Sequence, residues 1–595
     1  MHTTQLIAER ASFQSFANCY LREINPGMAV RHVDGDGRTV EGIEWTLAAA
    51  RIILRAEITS RSACGPCHFG TLWTRPVTDP QWRSVEPMSA LPWLVQDACR
   101  LFEGSQRESA RAYELGLMLR VLQSYQHTAE NIEVARPLSA ECFTFLEAEQ
   151  SIVYGHWLHP TPKSRQGMTF WQQETYAPEY SGRFRLAYFA AADHLVRQDS
   201  ARAQTAAAIV RSMVSAGLAE ERLRAGETLV PMHPLQADAL MLDPDIQGLI
   251  ESGSLRALGS FGPAFSATSS VRTVYSPDHP WMLKFSLPVR ITNSLRINRR
   301  HELEAGVAIA KLVDRAGIAA RYGTFGIIQD PAYITLDLPG REESGFEIIL
   351  RENPFVQGRD RGIATIAALT ADPLPGRASL LSQIVHRLAG ATAQSLSRVA
   401  TAWFERYLDH ALEPLLRLYD DFGIALEAHQ QNSLVDVSTG FPSAFYYRDN
   451  QGFYLAESDR ASLAALVPET ERIDGLYFDE AEIRDRFAYY AIVNQIFSII
   501  SRMGHDRLAG EEALLSLLRR RLATLAMVMS GAGRRFAESL LHAPTIASKA
   551  NLRARLFGVD ELQAHDTSSL YRRISNPLWD GEQAAIERQV HAIAS

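Results

Sequence analysis

The stretch SATSSVRTVYSPDHPWMLKFSLPVRITNSLRINRRH, Ser266 to His301, carries six basic residues, Arg272, Lys284, Arg290, Arg296, Arg299 and Arg300, against one acid, Asp278. Its runs of β-branched and aromatic residues, SVRTVYSP and WMLKFSLPVRIT, are bounded by Pro and read as strands. Thr268, Ser269, Ser270 and Thr273 surround Arg272 with hydroxyls, and the spacing from the Ser270–Thr273 SxRT puts Lys284 on the next strand. A hydroxyl-rich turn followed by a strand lysine is one way to hold phosphates, with Lys as a point charge and Arg as a fork. A basic hairpin is also a common solvated face, so the pattern alone leaves both readings open.

The text on either side sets the class. YGTFGIIQ, AYITLDL and FEIILREN continue the strand-rich region from about 255 to 350. Upstream, a helical opening, the strand-like TVEGIEWTLA and RIILRAEIT, and helices around 93–125 fill residues 1–145. The passage GHWLHPTPKSRQG from Gly155 is too rich in Pro and Gly for a regular element. Helices dominate after about 375. In FERYLDHALEPLLRLYDDFG the apolar positions Phe404, Tyr407, Leu408, Ala411, Leu412, Leu415, Leu418 and Tyr419 follow helical spacing. Gly423 stands where a C-cap belongs, and Pro414 predicts a kink or a short break. The expectation is an α+β chain of three regions, 1–145, 146–350 and 351–595, the last of them helix-rich.

Composition excludes several functions. The chain has 595 residues, 46% hydrophobic, with 60 Lys+Arg against 68 Asp+Glu, which is a folded, multidomain composition. A net charge of −8 leaves no global field for a nucleic acid. Against that acidic background the inversion at 266–301 asks for a local anionic ligand. The opening MHTTQLIAERASFQSF has neither the basic nor the apolar region of a signal peptide. FAYYAIVNQIFSII from Phe487 is interrupted by Asn494 and Gln495 and falls short of a spanning helix. The reading is a cytoplasmic protein without a membrane partner. All five cysteines precede residue 143. Cys64-Gly65-Pro66-Cys67 is the thioredoxin tetrapeptide, but HFGTLWTRP after it is no helix start, so it reads as a turn between strands. With His68 it offers at most three zinc ligands.

A second cluster lies in the C-terminal region. ALEAHQQNSLVDV, after Gly423, reads as a strand whose period of two puts Glu427, His429 and Gln431 on one face. YYRDNQGFY sets Arg448 and Asp449 at the end of another strand. An Asn and an Asp at neighbouring strand ends, Asn432 and Asp449, match the pair that holds Mg²⁺ on ATP phosphates in kinase-type sites. A kinase-like phosphotransferase would also need a catalytic Asp shortly before the Asn, and EAHQQN has none.

With these stretches in hand, the chain resembles the siderophore synthetases that work independently of nonribosomal peptide synthetases, of the aerobactin-synthetase type. The likeness runs from GHWLHPTPKSRQG through HPLQ at His233, SxRT at Ser270, KFSLPVRITNSLR at Lys284, LREN at Leu350, EAHQQN at Glu427 and RDNQG at Arg448 to NPL at Asn576. RDNQG departs from the RDxEG of some members.

The resemblance implies a cupped hand of thumb, fingers and palm, often dimeric. It implies ATP and Mg²⁺, a polycarboxylic acid such as citrate activated as its acyl adenylate, and an amine or alcohol that takes the acyl group. Under it Ser270, Arg272, Thr273, Lys284, Gln431 and Asn432 would hold the nucleotide, and Asp449 with Asn432 the metal. Thr292 and Arg296 would aim the carboxylate, His429 would orient it or take a proton, and His159 and Lys163 would meet the remaining carboxylates. The other reading left open is a non-catalytic iron or siderophore binding protein. An iron–sulfur version would need clustered cysteines in the C-terminal part, and none follows Cys142.

Overall fold

The computed structural model describes residues 3–33, 37–100, 107–214, 216–556 and 570–579. The class is mixed α and β with a helix-rich C-terminal part. At the N-terminus a five-stranded antiparallel meander, Met28–Val33 to Arg83–Ser84, packs on the helices Thr3–Glu23, Pro87–Cys99 and Arg107–Val134. The expected helices around 93–125 are the last two of these, and residues 101–106 between them lie outside the described residues. Leu552 and Leu556, from the helix Asn551–Leu556, complete the apolar core of this unit.

The strand-rich middle is an eight-stranded antiparallel sheet. Its order is Val196–Ser200, Ala332–Leu336, Ile348–Glu352, Trp281–Phe285, Thr273–Tyr275, Leu255–Ala267, Phe184–Ala192 and Glu227–Met232. Thr273 lies directly opposite Lys284, so the basic hairpin is real. VRIT is not part of the same strand: after Pro288 the chain enters a small sheet, Arg290–Ile291 between Ser294–Leu295 and Arg165–Gln166, because Pro lacks the ladder donor.

YGTFGIIQ leaves this sheet altogether. Its strand Phe325–Ile328 pairs in parallel with Ala444–Arg448, in a sheet completed by Ser433–Asp436 and Ile363–Thr365. That sheet and the C-terminal helices share the largest apolar core. FERYLDHALEPLLRLYDDFG is two helices, Leu396–His410 and Leu412–Phe422, broken at Ala411. The break falls three residues before Pro414, which then stands in the first turn of the second helix, where no N–H is required. Gly423 caps that helix at φ 64°, a left-handed conformation that favours glycine.

Two sequence expectations meet specific outcomes here. Cys64 and Cys67 occupy the connection between the strands Ile52–Ser60 and His68–Pro76, as a turn. Both thiols are buried, and burial pushes both above the ordinary thiol range, the opposite of an activated redox cysteine. Asn18 fixes the turn, accepting from Cys67 N and donating to Cys67 O. FAYYAIVNQIFSII is a buried run of π-helix, Ala488–Ile496, continuing into the helix Phe497–His505. No helix among the described residues is long and apolar enough to cross a membrane.

Candidate active site

ALEAHQQNSLVDV is not one strand, and the face expected for Glu427, His429 and Gln431 does not exist as such. Ile424–Leu426 belongs to a three-stranded sheet with Phe453–Ala456 and Tyr477–Phe478, and Ser433–Asp436 to the four-stranded one. Residues 427–432 form the loop between them. The physical reason is local hydrogen bonding. His429 Nδ1 accepts from the backbone N–H of Gln431 (3.2 Å) and Asn432 (3.4 Å), closing a turn that an extended chain does not allow.

The loop is pinned from several sides. Asn494, one of the two polar residues interrupting the apolar run, accepts from Gln430 N at 3.0 Å. Gln431 Nε2 donates to Ser269 Oγ, and Arg448 donates to Gln431 O and to Glu149. Glu149 in turn accepts from Ser269 N and Oγ. A buried Arg448–Glu149 pair thus ties the hydroxyl-rich turn to the EAHQQN loop, every partner satisfied as a buried charge requires.

The loop faces a cleft of two lobes. The inner lobe, about 270 Å³, is lined by His159, Lys163, Arg165, Glu179, Thr292 and Asn293 among others. The outer lobe, about 440 Å³, is lined by Arg272, Thr273, Lys284, Arg351, Asn432 and Asp449 among others. Ser270, Arg296, Glu427, His429, Gln431, Tyr490 and Lys549 line both. All the site residues expected from sequence therefore meet in one cleft. His159, Lys163 and Thr292 stand on one side, Arg272, Thr273, Lys284, Asn432 and Asp449 on the other, and Arg296 and His429 at the junction.

Strand ends position the outer lobe. Ser433 pairs with Tyr447 across antiparallel strands, so Asn432 lies opposite Arg448, whose N–H it accepts at 3.0 Å, and Asp449 follows at the same end of the strand pair. Lys284 Nζ donates to Asp449 (2.5 Å) and Asn450 (3.0 Å). Arg351 binds Asp330 through two nitrogens, at 2.6 and 2.8 Å, and reaches Asp449 at 3.4 Å. Burial works against the Asp449 carboxylate, but Lys284 and Arg351 overcome it and hold it well below the usual range. Burial lowers Lys284 from the ordinary lysine range, and Asp449 offsets part of that. Arg272 donates to Ile297 O, Asn298 and Gln451.

Three of the seven non-glycine residues with positive φ among the described residues line this cleft: Val271 (67°), Thr292 (53°) and Asp449 (131°). Each costs about 1–3 kcal/mol, and for branched Val and Thr the conformation is an outlier. Strain concentrated at a cleft is a mark of a working site.

Lys163 is not a solvated loop lysine. It is buried, bonded to Glu179 at 2.6 Å and to Ile152 O, and Arg165 shares the same Glu179 oxygen. Arg165 and Lys163 overcome the cost of burial and keep Glu179 far below the carboxylate range. His159 is buried, with Nε2 3.3 Å from Asn293 Oδ1.

His429 is pushed down to about 4, first by burial and then by Lys549, Arg448 and Arg296, with Asp449 opposing. It is neutral at physiological pH. With Nδ1 occupied as an acceptor, its proton sits on Nε2.

Sequence reasoning passed over Arg351, Arg165 and Lys549. The first two stood in quoted motifs, LREN and KSRQG, without a role. Lys549, on the strand Thr545–Lys549, gave no signal.

Comparison with known proteins places the chain. The IucA / IucC family profile matches residues 144–371, and that of the ferric iron reductase FhuF-like transporter matches 401–564. The chain is 36% identical to the spermidine-citrate ligase of Bacillus anthracis over 97% of this chain and 99% of that protein. It is also 36% identical to the rhizobactin siderophore biosynthesis protein RhbC of Rhizobium meliloti, over 75% and 77%. The ATP-bound aerobactin synthetase IucA of a hypervirulent Klebsiella pneumoniae superposes with a TM-score of 0.85 at 26% identity, covering 96% of this chain and 99% of that one. A fold shared from end to end, and a relative matched over almost its whole length, agree with the cleft: the chain belongs to the IucA / IucC family, the siderophore synthetases that work independently of nonribosomal peptide synthetases.

Proposed function

We propose that this chain activates a carboxylate of citrate or a citrate derivative with ATP and passes the acyl group to an amine or alcohol, releasing AMP and pyrophosphate. One observation carries the reading: a cationic inner lobe and a phosphate-type outer lobe meet at Arg296 and His429. That is the geometry in which a carboxylate held on one side reaches the α-phosphorus of a nucleotide held on the other, and such positioning is a large part of catalysis. In the outer lobe Ser270, Arg272, Thr273, Lys284, Gln431 and Asn432 bind the nucleotide, and Arg351 stands behind Asp449. The cations offset charge building on the phosphates, which is most effective in a site shielded from water. In the inner lobe His159, Asn293, Thr292 and Arg296 meet the acid. The relative named for spermidine makes a polyamine the first nucleophile to test.

No group of three or more His, Cys, Asp or Glu among the described residues forms a metal cage. Nucleotide-borne Mg²⁺ takes one or two protein oxygens and phosphate for the rest, and the Asp449 carboxylate with the Asn432 amide oxygen fits that need. Bound there, Mg²⁺ would neutralise phosphate charge. The division into thumb 1–145, fingers 146–350 and palm 351–595 belongs to the same proposal, with Phe325–Ile328 crossing from the second region into the sheet of the third. So do a cytoplasmic location and a homodimer, the latter testable by light scattering.

The deciding experiment is a panel of citrate, citrate monoamide and 2-oxoglutarate with ATP and spermidine, read for AMP and pyrophosphate. Failure of every acid, or formation of ADP, rejects the reading.

Two further outcomes are expected. In calorimetric titration, Arg272→Ala weakens ATP binding at least tenfold and leaves citrate within about twofold. Asp449→Asn removes the gain that Mg²⁺ gives to ATP affinity. Thr292→Val, which loses the hydroxyl beside Arg296, weakens citrate alone. A swapped pattern would invert the two lobes. The Cys64→Ser, Cys67→Ser double variant keeps full turnover, because neither thiol lines the cleft; a large loss would restore a redox role.

A further inference from the structure

We propose, resting on the acyl-adenylate reading above, that Glu427 is the proton acceptor for the incoming amine. Six carboxylates line the two lobes, and of these Glu427 alone lines both. The others are committed or peripheral. Glu149 holds Arg448, Glu179 holds Lys163 and Arg165, and Asp449 holds Lys284 and Arg351. Glu302 caps a helix by accepting from Arg299 N, and Asp474 is exposed at the outer rim.

Glu427 Oε2 accepts from Tyr454 OH at 2.5 Å, which fixes the carboxylate, and Oε1 lies 3.8 Å from His429 Nε2, beyond hydrogen-bond reach. Oε1 therefore faces the junction beside the group that orients the acid. His429 is unsuited to the task, because its Nε2 carries the proton and its Nδ1 is bonded to backbone N–H groups.

The amine arrives as an ammonium ion and gives one proton to Glu427. The freed lone pair attacks the acyl carbon, and AMP leaves with the electron pair of the C–O bond. The second proton, from the nitrogen now bonded to carbon, goes to solvent as the amide forms, and Glu427 then loses its proton to water. A carboxylate placed for such a transfer contributes roughly 10²–10⁴-fold.

The test is Glu427→Gln, of nearly the same shape, measured with ATP and citrate in three reactions. Pyrophosphate exchange without amine reads adenylation. Hydroxamate formation reads capture of the adenylate by hydroxylamine, a weak base that attacks without losing a proton first. Ligation of spermidine reads the full reaction. The expected result is exchange and hydroxamate formation within about threefold of wild type and spermidine ligation down at least a hundredfold. Tyr454→Phe, which frees the carboxylate to turn, lowers ligation alone by a smaller factor. Spermidine ligation near wild type in Glu427→Gln overturns the proposal, as does a parallel fall of all three rates. A wild-type protein that exchanges no pyrophosphate with any acid rejects the acyl adenylate itself and the role of Glu427 with it.

Discussion

Arg296→Ala is expected to lower pyrophosphate release at least a hundredfold, a loss of about 2.7 kcal/mol of transition-state stabilisation, with the melting temperature nearly unchanged. Arg296 ends a tight hairpin, where its guanidinium donates to Ile291 O and lies 3.4 Å from Thr292 Oγ1. Both of these bonds stay within one loop. What goes is the cation at the junction, where an attacking carboxylate and a phosphate must both be held. Arg296→Lys should recover only part of the rate, since an ammonium keeps the charge but not the planar fork. Lys284→Ala should lose at least as much activity for a different mixture of reasons. Lys284 is buried, and its removal leaves Arg351 as the one cation bonded to Asp449 among the described residues, so a measurable drop in melting temperature accompanies the kinetic loss. Near-normal rates in both variants would make the basic hairpin a structural feature.

The sequence disclosed the parts whose chemistry is carried by local spacing. The SxRT turn and the lysine of the next strand are neighbours through one hairpin register, Thr273 against Lys284, and period two along a strand suffices to find them. Asn432 and Asp449 came out for the same reason, flanking an antiparallel pair. The EAHQQN loop was read as a strand because its polar residues alternate. Nothing in the string shows that His429 Nδ1 collects two backbone N–H groups, or that Asn494, 64 residues on, takes the N–H of Gln430. Long-range ion pairs were equally hidden. Lys163 stands in the sequence as a candidate for a substrate carboxylate, with nothing to show that Glu179 already holds it, and Lys549 reaches the cleft because the strand Thr545–Lys549 packs along the π-helical segment. The hydroxyl turn, too, depends on Arg448 and Glu149, 299 residues apart.

His429→Ala is expected to lower pyrophosphate exchange about a hundredfold in the absence of amine, with citrate affinity falling too, because the imidazole acts before pyrophosphate leaves. Its tautomer decides the matter. Two backbone N–H groups occupy Nδ1, so Nε2–H is a donor aimed from the loop into the junction of the lobes. A neutral donor suits a carboxylate that must keep its charge to attack phosphorus. A protonated imidazolium would pair with that charge and blunt it. With the ring held neutral down to about pH 4, mainly by burial, exchange should show no His429 limb between pH 5 and 8, where an unperturbed histidine would titrate. His429→Asn should restore part of the exchange, since an amide N–H replaces the donor without titrating. Alanine also strands the N–H groups of Gln431 and Asn432, and an accompanying loss of ATP affinity would report the loop coming loose. The measurement that separates these effects is exchange at saturating ATP. A rate that stays a hundredfold low there belongs to the carboxylate, and wild-type exchange in the alanine variant would return His429 to the later, amine-dependent step in competition with Glu427.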